Sequence, residues 1–264
     1  MTQRTDTILD KIVADKRDEL TASKAAVPVG ELRDRLATAP PTRSFVDSLR
    51  GLDISLIAEV KKGSPSKGPL RRDLDPVEFA TMYKEAGASA ISVLTDAKYF
   101  QGSLDDLHAV RSALADGPPL LRKDFVFDEY QVIEARVHGA DAVLLIVAVL
   151  EQPLLESLLA ATIGLGMSAL VEVHDENEME RATASDAELI GVTNRDLRTF
   201  EVDLATTERL RPLAPPNATI VAESGIHTRE DMKRIEAAGV DAALIGESIV
   251  TAPDPAAKIR ELIG

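Results

Sequence analysis

Eight short apolar runs, fairly regularly spaced and separated by amphipathic stretches, limit what this chain can fold into more than any other feature. They are Ile54–Val60, Ala90–Leu94, Leu120–Leu121, Ala142–Ala148, Ala169–Val173, Leu189–Val192, Thr219–Ala222 and Ala242–Ile245. Each is apolar on both faces, which is the pattern of a buried parallel strand. The stretches between them, such as Pro76–Ala86, Glu129–His138, Glu176–Thr183 and Arg229–Ala238, have helical spacing. Several close on a glycine turn, as at Ala86-Gly87-Ala88, Gly139-Ala140-Asp141 and Gly239-Val240-Asp241. Strand and helix alternating eight times predict an α/β chain folded as a (β/α)8 TIM barrel, a fold of about 250 residues. A doubly wound open sheet is the rival, but no G-x-G-x-x-G follows the first strand. Residues 1–50 are expected to be helical over Thr7–Ser23 and Val29–Ala37, with a break at Pro40-Pro41. They are too short to hold a core of their own, so they read as an N-terminal helical extension of one barrel domain spanning 1–264.

Composition narrows the chemistry. The chain has no cysteine, which removes disulfides, thiolate metal sites and cysteine nucleophiles together. Its histidines, His108, His138, His174 and His227, show no ligand spacing on a helix, so no metal is expected. A net charge of −14 argues against nucleic acid or an anionic membrane as partner. The first residues lack the apolar core of a signal peptide. The longest apolar run, Ala142 to Leu150, is too short to span a bilayer. A cytoplasmic protein is expected.

Polar residues gather where a barrel builds its active site, at the C-terminal strand ends. The first strand ends in Glu59 and Lys61, which β alternation points to one side. A Gly-, Ser- and Pro-rich loop follows, and residues 61–72 carry Lys61, Lys62, Lys67, Arg71 and Arg72 with no acid before Asp73. A repulsive global field leaves such local cations to attract an anionic, phosphorylated small substrate. The third strand ends in Lys123 and the fifth in Glu172, a natural acid–base pair if both enter one pocket. The sixth runs out into Thr193-Asn194-Arg195-Asp196, the seventh into Glu223-Ser224-Gly225, and the eighth into Gly246-Glu247-Ser248. Glycines after the last two strands fit the phosphate site of such barrels, although both could simply make tight turns. Phe100 and Phe125 lie in loops after the second and third strands, suited to a flat apolar ring or to capping the core. A single charged residue at a strand end is commonly a satisfied ion pair, so it is the repetition around the barrel that points to function.

These segments resemble the indole-3-glycerol phosphate synthase family. The match runs through Ile57-Ala-Glu-Val-Lys-Lys-Gly-Ser-Pro-Ser-Lys-Gly68, Ser92 to Ser103, Leu121-Arg-Lys-Asp-Phe125, Ala142 to Ile146, Leu170-Val-Glu-Val-His174, Val221-Ala-Glu-Ser-Gly-Ile226 and Leu244-Ile-Gly-Glu-Ser248. The resemblance implies a carbon–carbon lyase of tryptophan biosynthesis that works without a cofactor. It would close 1-(2-carboxyphenylamino)-1-deoxyribulose 5-phosphate to indole-3-glycerol phosphate with loss of carbon dioxide and water. By resemblance Lys123 is the general acid at the carbonyl, Glu172 assists dehydration, and Lys61 pairs with substrate carboxylate or phosphate. Glu59 holds the lysines in register. Glu223 and Ser224 bind the hydroxyl side, with Thr193 and Arg195 also at the substrate. Ser64, Gly225, Gly246, Glu247 and Ser248 take the phosphate, and Phe100 and Phe125 flank the ring.

The chain departs from the family pattern at one place. The family reads Gly-Ile/Val-Asn-x-Arg-Asn/Asp-Leu after the sixth strand, whereas here Gly191-Val-Thr-Asn-Arg-Asp-Leu197 puts Thr193 where asparagine is expected. A hydroxyl offers less than an amide and reaches less far. The departure leaves open an alternative, a catalytically weakened barrel that binds a phosphorylated ligand. A related sugar-phosphate isomerase, which often uses Asp with Cys, is disfavoured by the lack of cysteine.

Overall fold

The computed structural model describes residues 1–264 except Ser66, Arg72 and Leu197. Eight parallel strands form a closed barrel: β1 Ser55–Val60, β2 Ala90–Leu94, β3 Leu120–Lys123, β4 Ala142–Ile146, β5 Ser168–Val173, β6 Leu189–Thr193, β7 Thr219–Glu223 and β8 Ala242–Ile245. Each pairs with the next, and β8 closes on β1 with Ser55 opposite Ala242. The expected (β/α)8 fold is therefore the one observed. The connecting helices are ended by side chains the sequence provides. Pro76–Ala86, for example, begins with the Asp75 carboxylate accepting from the Val77 and Glu78 N–H groups and has proline in its first turn.

Two strands end differently from their apolar runs. The run Leu120–Leu121 continues as strand through Arg122 and Lys123. Arg122 is buried behind the barrel wall, where Asp124 at 3.0 Å and Glu134 at 2.9 Å neutralise it. The run Ala142–Ala148 stops as strand at Ile146 and tightens into a 3₁₀ turn, Val147–Val149. Its last residues are apolar because the N-terminal segment covers them: the Gln3 side chain donates to the Val147 and Ala148 carbonyls, and Thr2 bridges Leu150.

Helix α1, Ile8–Ala26, starts where the Thr7 hydroxyl accepts from the Leu9 N–H and buries Leu9, Ile12, Val13 and Leu20. It also buries a charge. Lys16 is 2.8 Å from Asp96 and 3.1 Å from Asp124, which stand just beyond β2 and β3. The extension is thus bolted to the C-terminal end of the barrel. A small antiparallel ladder, Gly63–Ser64 against Gly68–Pro69, shapes the loop after β1, which the sequence presented only as a flexible basic loop. Arg72, one of the cations assigned to that loop, lies outside the described residues. Among the described residues no helix is long and apolar enough to cross a membrane.

Candidate active site

The strand ends surround a cavity of about 440 Å³. Every expected site residue lines it: Glu59, Lys61, Ser64, Phe100, Lys123, Phe125, Glu172, Thr193, Arg195, Glu223, Ser224, Gly225, Gly246, Glu247 and Ser248. At its centre the Lys123 ammonium lies 3.1 Å from Glu223 and 3.6 Å from Glu172. The expected pair is thus a triad, with the nearer carboxylate coming from β7. Burial alone would lower the pKa of Lys123, but Glu223, Glu172 and Glu59 outweigh it and hold the group charged above its ordinary range. Burial pushes the Glu223 carboxyl up to about 7, with Lys123 pulling against it and Glu172 and Glu59 adding to it.

Two glycines make room for these carboxylates. A Cβ on Gly191 would meet Glu223 Oε1 at 2.2 Å, and one on Gly246 would meet Glu59 Oε1 at 2.5 Å. Gly246 therefore seats a carboxylate, whatever its backbone does for a phosphate. Glu59 is 3.3 Å from Lys61, as β alternation required, and Lys61 stands 5.8 Å above the Phe100 ring. Phe100 and Phe125 face each other with centroids 6.2 Å apart and planes 38° apart, forming an apolar wall.

The basic loop is more neutral than its sequence. Lys62 pairs with Asp106 at 2.7 Å, Lys67 with Glu247, and the Arg71 guanidinium donates to the Val250 carbonyl. Partners distant in sequence hide this neutralisation. The Lys67–Glu247 pair ties the loop tip to the end of β8. Across from it, Ser224 and Gly225 leave β7 with φ of +67° and +81°. A serine in the left-handed region carries strain, which tends to persist at functional sites. The Ser248 hydroxyl donates to the Ile226 carbonyl, joining this turn to the one after β8.

Thr193 is buried, sits in register with Glu223, and its hydroxyl makes no hydrogen bond with the described residues. Asn194 cannot substitute for the missing amide. Its side chain turns away, donating to the Glu223 and Ser224 carbonyls and accepting from the Thr207 N–H and hydroxyl. Sequence reasoning missed one wall: Ile8, Leu9 and Ile12 of α1 line the cavity. The apolar face of α1 was the available signal, but nothing local says which end of a barrel such a face covers. Among the described residues no cluster of His, Cys, Asp and Glu could hold a metal.

Fold and site together define a (β/α)8-barrel enzyme with acid–base groups at its C-terminal mouth. The family model described as indole-3-glycerol phosphate synthase matches residues 9–262. The chain belongs to that family. Relatives called indole-3-glycerol phosphate synthase include one from Dehalococcoides mccartyi (strain CBDB1), 51% identical over 97% of this chain and 100% of its own length. Another, from Roseiflexus sp. (strain RS-1), is 50% identical over 98% and 99%. A third, from Mycolicibacterium smegmatis, is 48% identical over 97% and 94%. Solved structures share the fold at low identity. The 3-hexulose-6-phosphate synthase from Salmonella typhimurium superposes with a TM-score of 0.63 at 14% identity, covering 79% of this chain and 96% of its own. The family is one of decarboxylating carbon–carbon lyases acting on a phosphorylated substrate in tryptophan biosynthesis. The reaction closes 1-(2-carboxyphenylamino)-1-deoxyribulose 5-phosphate to indole-3-glycerol phosphate, and nothing favours the weakened barrel.

Proposed function

We propose that Lys123 is the general acid that protonates the substrate carbonyl as the ring carbon attacks, and that Glu172 transfers protons in the dehydration. The observation that supports this most is the buried ammonium held between Glu172 and Glu223 at the centre of the cavity. A lysine kept charged by three carboxylates has its proton in place at any physiological pH, and the alkoxide formed at ring closure is basic enough to take it. Lys61, above Phe100, pairs with the substrate carboxylate or phosphate, and Glu59 holds it in register. Phe100 and Phe125 flank the anthranilate ring. Glu223 and Ser224 bind the hydroxyl side, with Thr193 and Arg195 beside them. The phosphate lies over the turns after β7 and β8, at Gly225, Gly246, Glu247 and Ser248, with Ser64 closing from the loop. Neither metal nor cofactor is needed for these steps. The acidic charge of the chain supports an enzyme that meets a small molecule rather than nucleic acid, and a cytoplasmic place goes with the biosynthetic family.

Turnover of the synthetic substrate, followed by indole fluorescence, tests the phosphate placement. Inorganic phosphate should inhibit competitively and bind at the turns after β7 and β8. Its affinity should fall with added salt, because local cations attract it against a net charge of −14. Anion density elsewhere, with those turns empty, would contradict the placement.

A further inference from the structure

The reaction has a proton imbalance that the groups named so far cannot settle. The carbonyl oxygen takes one proton at ring closure, and the departing hydroxyl takes a second. Dehydration returns only one, from the C–H bond that breaks. The balance agrees with the charges, since an ionised carboxylate leaves as neutral carbon dioxide. One of the two proton donors must therefore be reloaded from solvent in every turnover.

Glu172 has a neighbour suited to this. One carboxylate oxygen faces Lys123, and the other lies 3.6 Å from His174 Nε2, which is buried without a hydrogen-bond partner among the described residues. The other ring nitrogen, Nδ1, is 2.9 Å from Glu178 Oε2, which also accepts the His174 backbone N–H at 2.8 Å. A carboxylate oxygen only accepts, so Nδ1 carries a proton and a neutral ring would aim the Nε2 lone pair at Glu172. That contact is favourable only with a proton between the two groups. His174 and Glu178 do not line the catalytic cavity. They line a second one of about 570 Å³ on its flank, bordered by the loop after β6 and by Gln3 to Thr7. The charged groups acting on His174 are Glu172 on β5, Glu178 on helix Glu176–Ala184 and Glu223 on β7. Burial disfavours the imidazolium, but these three acids outweigh it and raise its pKa.

We propose that His174 is the proton reserve of the site, a positioning residue that acts through Glu172 and is refilled from the second cavity. The imidazolium gives its Nε2 proton to ionised Glu172, which passes a proton to the departing hydroxyl. The emptied Nε2 then takes a proton from water admitted through the flanking cavity. This rests on the role of Glu172 proposed above.

His174→Asn and Glu178→Gln, each compared with wild type across pH, test the proposal. Wild-type kcat should fall as pH rises through the raised histidine pKa and should not depend on buffer concentration. His174→Asn should lower kcat on the order of 10²-fold, the low end for a proton-transferring side chain. It should leave KM unchanged, lose the alkaline limb, and regain rate as imidazole buffer is added. Glu178→Gln keeps the ring and removes the charge that holds it protonated, so its alkaline limb should move to lower pH even if His174→Asn fails to fold. Glu172→Gln separates the two readings. If it retains turnover, the role of Glu172 is wrong. If it is inactive while both other variants keep the wild-type profile and show no buffer dependence, the proton reserve is wrong.

Discussion

At the scale of single residues, the site is a set of charges that cannot all be comfortable. Glu223 is nearly fully buried, and its carboxyl is raised from the ordinary 4.5 to about 7. A raised acid binds its proton more tightly folded than unfolded, so its contribution to stability is full below pH 4.5 and is lost as pH rises through about 7. Between pH 4 and pH 8 wild type should lose stability that Glu223→Gln keeps, while the variant turns over more slowly. Denaturant unfolding at the two pH values checks this, and a constant difference would contradict it. Thr193 is a deficit of another kind, since no described residue engages its hydroxyl, and Glu223, in register with it, has an Oε1 without a hydrogen-bond partner among the described residues. Thr193→Asn should raise kcat/KM roughly ten- to a hundred-fold, the value of one hydrogen bond of about 1.5–3 kcal/mol to a charged group. Asn194→Ala should instead cost stability, because that side chain braces β6 against β7 and the following helix. A loss of activity in Thr193→Asn would mean that the hydroxyl is itself the functional choice.

At the scale of elements, α1 is both a wall of the site and a load on its fastening. The helix brings Ile8, Leu9 and Ile12 to the cavity, and Lys16 pins it between Asp96 and Asp124, one residue from Lys123. Lys16→Met leaves buried Asp96 without its cation and Asp124 with Arg122 alone, and should destabilise the fold by about 3–5 kcal/mol. KM should rise as the apolar wall loosens. Equilibrium unfolding and steady-state kinetics check the pair, and unchanged stability would contradict the bolt. Local pattern made the elements readable. Apolar runs marked the strands, and helical spacing closed by glycine turns marked the helices between them. Legibility failed where a long-range partner decided the outcome. Arg122 looks like the end of a strand until Asp124 and Glu134 are seen to neutralise it. Lys67 looks like a free cation until Glu247 arrives from the end of β8, next to β1 in the closed barrel but distant in sequence. The closeness of Glu223 to Lys123 was not legible either, because no spacing in sequence sets it nearer than Glu172 is.

At the scale of the whole molecule, closing the sheet brings together residues scattered from Ile8 to Ser248 and surrounds one lysine with acids from three strands. Of the cations lining the cavity, Lys61, Lys67 and Lys123 are paired with carboxylates, and Arg195 has no ion pair among the described residues and faces an anionic substrate in this acidic protein. Under the proposed roles the substrate's charge and the buried ammonium meet at the C-terminal mouth, which is where this fold does chemistry. The most direct test is single-turnover kinetics of Lys123→Met with 1-(2-carboxyphenylamino)-1-deoxyribulose 5-phosphate, following indole fluorescence beside far-UV circular dichroism. Methionine keeps the unbranched apolar stem, one atom shorter, and removes the ammonium and its proton. The predicted result is a native spectrum, retained substrate binding and a loss of turnover on the order of 10²–10⁴-fold. Near-native turnover in a folded Lys123→Met would contradict the assignment of Lys123 as the acid.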